Sequence, residues 1–133
     1  MSFKINQVVS NADIMEAFSC GNMGGMRRSK KTNSLVIISD KTKKLYEDKW
    51  NGDGLDYTGM GKNGDQDIDF MQNKTLAESK TNGIEIHLFE VEKPRQYIYR
   101  GQVELCNEPY QEVQKGEDDK PRKVWMFPVR VKK

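Results

Sequence analysis

The most informative stretch of this sequence is residues 46–66, Tyr-Glu-Asp-Lys-Trp-Asn-Gly-Asp-Gly-Leu-Asp-Tyr-Thr-Gly-Met-Gly-Lys-Asn-Gly-Asp-Gln. The segment combines three aromatic side chains, Tyr46, Trp50 and Tyr57, with the carboxylate of Asp48 and a glycine-rich end. Aromatic faces, one carboxylate and an uncrowded backbone are what a pocket for a single flat, polar ring requires. A nucleobase withdrawn from a duplex is such a ring, because it is held by stacking and read along its Watson–Crick edge. The segment therefore predicts a pocket for a flipped base.

The sequence around this segment predicts a small, mainly β domain. Residues 34–39 just before it are apolar and β-branched, which predicts a buried strand. A helix is predicted over residues 69–79, and a shorter one after residue 10, with Ser10 or Asn11 as its cap. Further strands are predicted at 84–90, 97–105, 110–113 and 123–131. We therefore expect an α+β, mainly β fold, a curved sheet or β-barrel with two short helices.

Length and composition limit the alternatives. A chain of 133 residues is expected to form a single domain over residues 1–133. Charged residues make up 32%, and no apolar run approaches the roughly 18 residues of a membrane helix, so we expect a cytoplasmic protein without a membrane partner. Cys20 and Cys106 have no cysteine or histidine close by in the sequence. This predicts buried free thiols rather than a disulfide framework or a zinc site.

A basic stretch lies beside the candidate pocket in the sequence. Between Arg27 and Lys49 there are eight basic and three acidic residues. Clustered lysine and arginine side chains replace condensed counterions on a phosphate backbone, so the stretch is typical of a nucleic-acid face. A solvated loop has the same charge pattern, and charge alone favours neither interpretation.

Several short motifs occur in an order that resembles one known family. They are Gly24-Gly25-Met26, Ser34-Leu35-Val36, Tyr46-Glu47-Asp48, Tyr57-Thr58-Gly59, Asp65-Gln66 and Asn73-Lys74-Thr75-Leu76, followed by residues 97–101 and Val103-Glu104-Leu105. This order resembles the SRA (SET and RING finger-associated) domain. It is most similar to the SRA-like module at the N-terminus of bacterial modification-dependent restriction endonucleases that carry an HNH nuclease domain. The resemblance implies a PUA-like β-barrel that flips 5-methylcytosine or a related modified cytosine out of duplex DNA.

Carried over by position, the resemblance assigns the base pocket. Tyr46 and Tyr57 would stack above and below the base, and Asp48 would accept a hydrogen bond from the cytosine amino group. This chain is one residue shorter than the eukaryotic pattern between these tyrosines, so Asp53 and Asp56 are alternatives for the carboxylate. The full predicted pocket comprises Tyr46, Asp48, Trp50, Tyr57, Thr58, Gly59, Met60 and Gly61.

The resemblance also implies a surface that contacts the DNA backbone and grooves. Residues 24–28 stand in place of the loop that enters the minor groove, so Met23 or Met26 would wedge into the gap left by the base. The connection 61–66 is too short for the long major-groove finger of the eukaryotic proteins. The predicted DNA contacts are Met23, Gly24, Gly25, Met26, Arg27, Arg28, Lys30, Lys31, Lys62, Asn63, Gln66 and Asn73.

Two other classes of function stay open at this point. One is a PUA-like binder of RNA or of another modified base; the other is a small hydrolase with Asp48, Asp53 and Asp65 as metal ligands. The sequence has no nucleophile–histidine pair and no HNH ligand set, so we predict no catalytic residue, no metal and no cofactor. We expect a non-catalytic reader. Its expected partners are modified double-stranded DNA and an HNH nuclease domain, downstream or in trans, and a dimer is compatible with the chain.

Overall fold

The computed structural model describes residues 3–43 and 45–132. Two short helices, α1 (Asn11–Phe18) and α2 (Gln72–Ala77), confirm the predicted number of helices. Within the described residues, neither helix is long and apolar enough to cross a membrane. The strands are β1 (Val8–Val9), β2 (Met26–Ser29), β3 (Ser34–Asp40), β4 (Lys49–Asn51), β5 (Gly54–Thr58), β6 (Glu85–Lys93), β7 (Gln96–Leu105), β8 (Tyr110–Lys115) and β9 (Pro121–Val131).

All these strands belong to one mixed sheet. Its hydrogen-bonded path runs β2-β3-β6-β7-β9-β5-β4, with β1 paired to β7 and β8 paired to β9. Strands β3 and β6 are parallel, whereas the other pairs are antiparallel. Over residues 3–43 and 45–132 the path begins at β2 and ends at β4 without closing. The mainly β class is confirmed, and the sheet is open where the resemblance implied a barrel.

Strand β3 is buried on both faces, which explains its continuous apolar sequence. Leu35 and Ile37 belong to one core cluster, which also contains Leu76 of α2. Val36 and Ile38 belong to a second cluster, which contains the buried side chains of α1. Successive side chains of a strand point to opposite faces, so an inner strand with a core on each side is apolar throughout. Packing on both faces therefore fixes the position of β3, and its C-terminal end lies beside the predicted pocket residues Tyr46 and Asp48.

Helix α2 is shorter than the predicted 69–79. A turn precedes it, in which the Phe70 N–H donates to the Asp67 carbonyl oxygen at 3.1 Å. Met71 then has a φ of 46° and no side-chain cap. A left-handed φ at a non-glycine residue interrupts a right-handed helix, so α2 starts only after this residue.

Three further local predictions are corrected by the structure. The segment 46–66 contains the β4–β5 hairpin, although no strand was expected there. Met26, expected in the minor-groove loop 24–28, is the first residue of β2 and is buried. Cys106 is exposed and Cys20 is half-buried, so neither is the fully buried thiol that was expected.

Candidate nucleic-acid interface

A cavity of about 410 Å³ lies where β3 ends. Both the end of β3 and the segment that leads to β4 contribute to its wall. The cavity brings together two of the predicted pocket residues, Tyr46 and Asp48. Its lining residues are Ser39, Asp40, Lys41, Lys43, Tyr46, Glu47 and Asp48.

The carboxylate of Asp48 is fixed by two hydrogen bonds from different strands. Its Oδ1 accepts from the Thr58 N–H at 2.7 Å, and its Oδ2 accepts from Ser39 Oγ at 2.8 Å. Burial raises the pKa of Asp48 above its ordinary value, although the hydrogen bonds from Thr58 and Ser39 oppose this shift. Asp48 is thus a preorganised, partly desolvated acceptor at the cavity wall.

The two alternative carboxylates lie elsewhere. Asp56 is on β5, and its Oδ2 accepts a hydrogen bond from the Tyr110 hydroxyl at 2.8 Å. Asp53 is exposed in the turn between β4 and β5. Of the three candidates, only Asp48 is part of the described cavity lining.

Tyr46 connects the cavity to the glycine-rich loop after β5. Its ring is half-buried, and its hydroxyl has a backbone hydrogen bond with Gly61. Burial raises the pKa of Tyr46, while the nearby Arg122 guanidinium opposes the increase. The ring is therefore held at one end and contributes a face to the cavity.

Tyr57 is placed in the apolar core and not in the cavity lining. Its residue exposure is 4%, and its hydroxyl lies 2.9 Å from the Gly25 carbonyl oxygen and 3.0 Å from that of Ile38. On β5 it alternates with Asp56 and follows Leu55 on the buried face. The structure therefore does not assemble the predicted pair of stacking walls. Tyr57 instead links the Gly24-Gly25 turn to the core.

Trp50 is held at the side of the sheet by a carboxylate that the sequence analysis missed. Its indole N–H donates to Glu90 Oε2 at 2.8 Å. Glu90 is 2% exposed and also contacts Arg100 Nε at 2.6 Å and Lys41 Nζ at 3.1 Å. Burial alone would raise the pKa of Glu90, but these three donors outweigh it and the pKa is lowered. In the predicted strand 84–90, Glu90 continues the every-second-residue series of Ile86 and Leu88. An acidic residue at such a core-facing position was the sequence signal that could have identified it.

The loop Thr58–Gly61 is braced by two buried amides that were predicted to contact DNA. Gln66 Nε2 donates to the Gly59 carbonyl oxygen at 2.7 Å, and Asn73 Oδ1 accepts from the Met60 N–H at 2.7 Å. A Cβ on Gly59 would lie 2.8 Å from Asn73 Oδ1, so only glycine fits between these side chains. Gln66 is 7% exposed and Asn73 is fully buried, which corrects their assignment as DNA contacts.

A buried arginine supports the same loop from β9. Arg122 is 4% exposed and donates through Nη1 to the Gly61 carbonyl oxygen. Its Nε and Nη2 have no hydrogen-bond partner in the described part of the chain. Lys62 and Asn63, in contrast, are exposed next to this loop and stay predicted DNA contacts.

Part of the predicted minor-groove segment is also internal. Met26 is 5% exposed in the core, and Arg27 is 6% exposed. The Arg27 Nε donates to the Gly24 carbonyl oxygen at 3.0 Å, and its guanidinium lies over the Tyr97 ring. Both residues are thus corrected from DNA contacts to structural supports. Met23, at 81% exposure, is the accessible apolar side chain of this turn.

The basic residues of the β2–β3 hairpin lie away from the cavity, whereas Lys41 and Lys43 line it. Lys30 and Lys31 are exposed between β2 and β3, and Arg28 hydrogen-bonds to Asn33 Oδ1 at 3.0 Å in the same hairpin. This hairpin and the cavity lie at opposite ends of β3, whose seven residues span about 20 Å. Sequence proximity therefore overstated how close these charges are to the pocket. In residues 3–43 and 45–132, no group of His, Cys, Asp or Glu is arranged to hold a metal ion.

Comparison with known proteins identifies the family. The family model for the ScoMcrA-like SRA domain matches residues 6–131. This chain belongs to that family. No curated protein matches it.

Solved structures resemble this SRA domain in fold. The sulfur-binding and SRA domains of ScoMcrA, complexed with phosphorothioated DNA, align with a TM-score of 0.78 and 18% identity, covering 98% of this chain and 40% of that chain. The DNA recognition domain of LpnPI, a cytosine modification-dependent restriction endonuclease, has a TM-score of 0.73 and 16% identity over 96% and 72%. The SUVH5 SRA domain with hemimethylated CG DNA has a TM-score of 0.71 and 20% identity over 99% and 90%. This chain spans only 28% of the type IV restriction endonuclease ScoMcrA.

Proposed function

We propose that this SRA domain binds duplex DNA carrying a modified cytosine and receives that base, flipped out of the duplex, in the cavity at residues 39–48. The observation that supports this most directly is the position of Asp48. Its carboxylate is held by Ser39 and by the Thr58 N–H in the same cavity that Tyr46 lines. The proposal also assumes a cytoplasmic location, where duplex DNA is available.

Asp48 has the chemistry to recognise cytosine. An ionised carboxylate only accepts hydrogen bonds, and the cytosine amino group donates them. Thymine has a carbonyl oxygen at that position, so a partly buried carboxylate would face another acceptor, at a cost of about 1–3 kcal/mol. Tyr46 supplies one stacking face, which contributes on the order of 1–3 kcal/mol per base. Together these interactions offset the few kcal/mol that flipping requires.

The second face of the base is assigned to Tyr57, as the family resemblance implies. Because Tyr57 is buried below the Gly24-Gly25 turn, stacking requires this turn to move aside. Met23, exposed in the same turn, would then enter the space vacated by the base. Entry of the base into the cavity and insertion of Met23 into the duplex would thus both depend on movement of the same turn.

The domain acts as a reader and does not cut DNA in this proposal. The nuclease would be a separate HNH domain, downstream in the natural protein or in trans. The known structures that contain ScoMcrA SRA domains are longer than this chain, which supports a multidomain context. Lys30 and Lys31 would contact phosphates along the flanking duplex and not at the flipped nucleotide.

A competition titration tests the proposed function. Fluorescence anisotropy would measure the affinity for duplexes that differ only by one 5-methyl group on cytosine, with structured RNA as a competitor. We expect tighter binding to the modified duplex, and a loss of that preference in Asp48→Ala. Asp56→Ala is the matched control, because this carboxylate lies outside the cavity. Equal affinity for both duplexes, or preferential binding to RNA, would refute the proposal.

A further inference from the structure

The carbonyl oxygen of Gly61 is held by two buried side chains. Arg122 donates to it through Nη1, and Gln66 donates to it through Nε2 at 3.2 Å. Arg122 is 4% exposed and Gln66 is 7% exposed. A carbonyl oxygen has two lone pairs, so these two donors use its full capacity. The peptide group at Gly61 is therefore fixed from inside the fold.

The backbone at Gly61 has little freedom to move. Its φ is 128°, a conformation that favours glycine, and a Cβ here would lie 3.2 Å from Gln66 Cγ. Gln66 Nε2 also donates to the Gly59 carbonyl oxygen at 2.7 Å. The loop therefore cannot shift at Gly61 without displacing a side chain that holds it at two points.

The fixed peptide at Gly61 is a polar contact of the Tyr46 ring. The Tyr46 hydroxyl has a backbone hydrogen bond with Gly61. The Arg122 guanidinium is close enough to oppose the increase that burial causes in the pKa of Tyr46. Tyr46 itself lines the cavity. An arginine on β9 is thus connected to the proposed stacking ring through a single glycine.

Arg122 is an unfavourable choice if the loop needs only a brace. The acceptors of its guanidinium are the backbone carbonyl oxygens of Gly61 and, at 3.5 Å, Gly64. Its Nε and Nη2 have no partner, and it forms no ion pair with a carboxylate, in the part of the chain that the structure describes. A buried charge without a counter-charge destabilises a fold, whereas a neutral amide could donate to a carbonyl oxygen at lower cost. Departures of this kind are typical of residues that serve a site.

We propose that Arg122 is a positioning residue for base binding, which holds the Tyr46 ring in its stacking orientation by fixing the Gly61 peptide. The ring is then preorganised before DNA arrives, so less entropy is lost when it stacks on the base. This role rests on the proposed function, because Tyr46 stacks on a base only if the cavity receives one. A residue outside the cavity lining would thus control the preference for modified DNA.

Arg122→Met tests this role, because methionine keeps an apolar stem and removes the charge and the donors. We expect the preference for methylated over unmodified duplex, measured by fluorescence anisotropy, to fall by about 3–10-fold, the value of one hydrogen bond. The affinity for the unmodified duplex should not change. Arg130→Met is the matched control, since it makes the same substitution at an exposed position of β9.

A double-mutant cycle with Tyr46→Phe separates positioning from general support of the fold. Phenylalanine keeps the stacking face and loses the hydroxyl that bonds to Gly61. We expect Arg122→Met to weaken the preference in the unsubstituted protein and to add little in the Tyr46→Phe background. Effects of the two substitutions that add in full would overturn the positioning role.

NMR of tyrosines labelled at Cζ supplies a readout specific to Tyr46. Its signal, identified by its absence in Tyr46→Phe, reports the pKa of this hydroxyl. We expect that pKa to rise in Arg122→Met, because the cation that opposes the effect of burial is lost. A pKa that stays constant or falls would contradict the coupling between Arg122 and Tyr46.

Arg122→Lys keeps the role testable if urea denaturation shows that the methionine variant is unfolded. Lysine keeps the charge and lacks the planar fork, so the preference should still fall by about twofold or more, and not in the Tyr46→Phe background. Full preference in a folded lysine variant would overturn the inference and leave the proposed function intact.

Two further outcomes are distinguishable from these. An equal loss for both duplexes, with a smaller slope of log affinity against log salt concentration, would overturn the positioning role and assign Arg122 to phosphate. Equal affinity of the unsubstituted protein for both duplexes would refute the proposed function itself.

Discussion

Asp48 and Ser39 are joined by a hydrogen bond of 2.8 Å between Oδ2 and Oγ. This contact connects the end of β3 to the segment that forms most of the cavity wall. Ser39 is opposite Glu90 in the parallel β3–β6 pair, so its position is set by the central part of the sheet. The location of the carboxylate is therefore a consequence of the sheet register and not of the loop alone.

The raised pKa of Asp48 makes its ionisation unfavourable for folding. A group whose folded pKa is raised contributes stability that is complete below its unfolded pKa, near 3.8, and is lost as the pH rises through the folded pKa. Asp48→Asn removes this ionisation and can still accept from the Thr58 N–H. We expect its free energy of unfolding, relative to the unsubstituted protein, to increase from pH 4 to pH 7 in urea titrations. A constant difference across this range would contradict the assignment.

The two tyrosines should respond differently to truncation. Tyr57→Ala removes a core ring and should destabilise the domain by about 3–5 kcal/mol, whereas Tyr46→Ala, at a half-buried position, should cost much less. Urea denaturation measures both values. Tyr57→Phe is the control that keeps the ring and loses only the hydroxyl contacts, at about 1–2 kcal/mol. A fully stable Tyr57→Ala protein would show that the ring is not part of the core.

Glu90 should be the most sensitive charged residue near the cavity. Glu90→Gln leaves Arg100 and Lys41 without their carboxylate, and we expect a loss of roughly 2–4 kcal/mol of stability together with a change in Trp50 fluorescence. The lowered pKa means that this contribution is present above the unfolded pKa, near 4.5, and is lost as the pH falls through the folded value. Glu104→Gln, which breaks an exposed pair with Arg130, should cost under about 1 kcal/mol. Equal effects of the two substitutions would contradict the buried role of Glu90.

Much of the fold could be predicted from local sequence patterns. The β-branched run of β3 predicted that strand correctly. The alternation of apolar and polar residues in the second half of the chain likewise indicated the strands there. Ser10 was one of the two expected caps, and it accepts from the Asp13 N–H at 3.1 Å. The parallel β3–β6 pairing was not accessible in this way, because it joins segments about fifty residues apart and leaves no periodic signal.

The site was harder to predict because polarity does not reveal burial. Arg27, Gln66 and Asn73 were assigned to a DNA surface, yet each satisfies backbone groups inside the fold. A tight glycine-rich loop leaves carbonyl and N–H groups that need partners, and nearby polar side chains supply them. Tyr57 is ambiguous for a related reason, since its alternation with Asp56 in β5 predicts a core position as readily as a pocket wall.

The basic residues should separate into structural and electrostatic groups. Lys30→Ala and Lys31→Ala should each reduce the slope of log affinity against log salt concentration by roughly one, with little change in stability. Arg27→Ala should instead destabilise the Gly24 turn and leave that slope unchanged. Binding isotherms at several salt concentrations, with urea denaturation of each variant, provide both readouts. A reduced salt slope in Arg27→Ala would assign that residue to phosphate after all.

Flipping of the modified cytosine is observable through the fluorescence of 2-aminopurine placed next to it in the duplex. Removal of the neighbouring base from the stack raises this fluorescence. We expect an increase when the domain binds the modified duplex, little change with the unmodified duplex, and loss of the increase in Tyr46→Ala and Asp48→Ala. The same increase with both duplexes, or an increase that survives in both variants, would contradict this expectation.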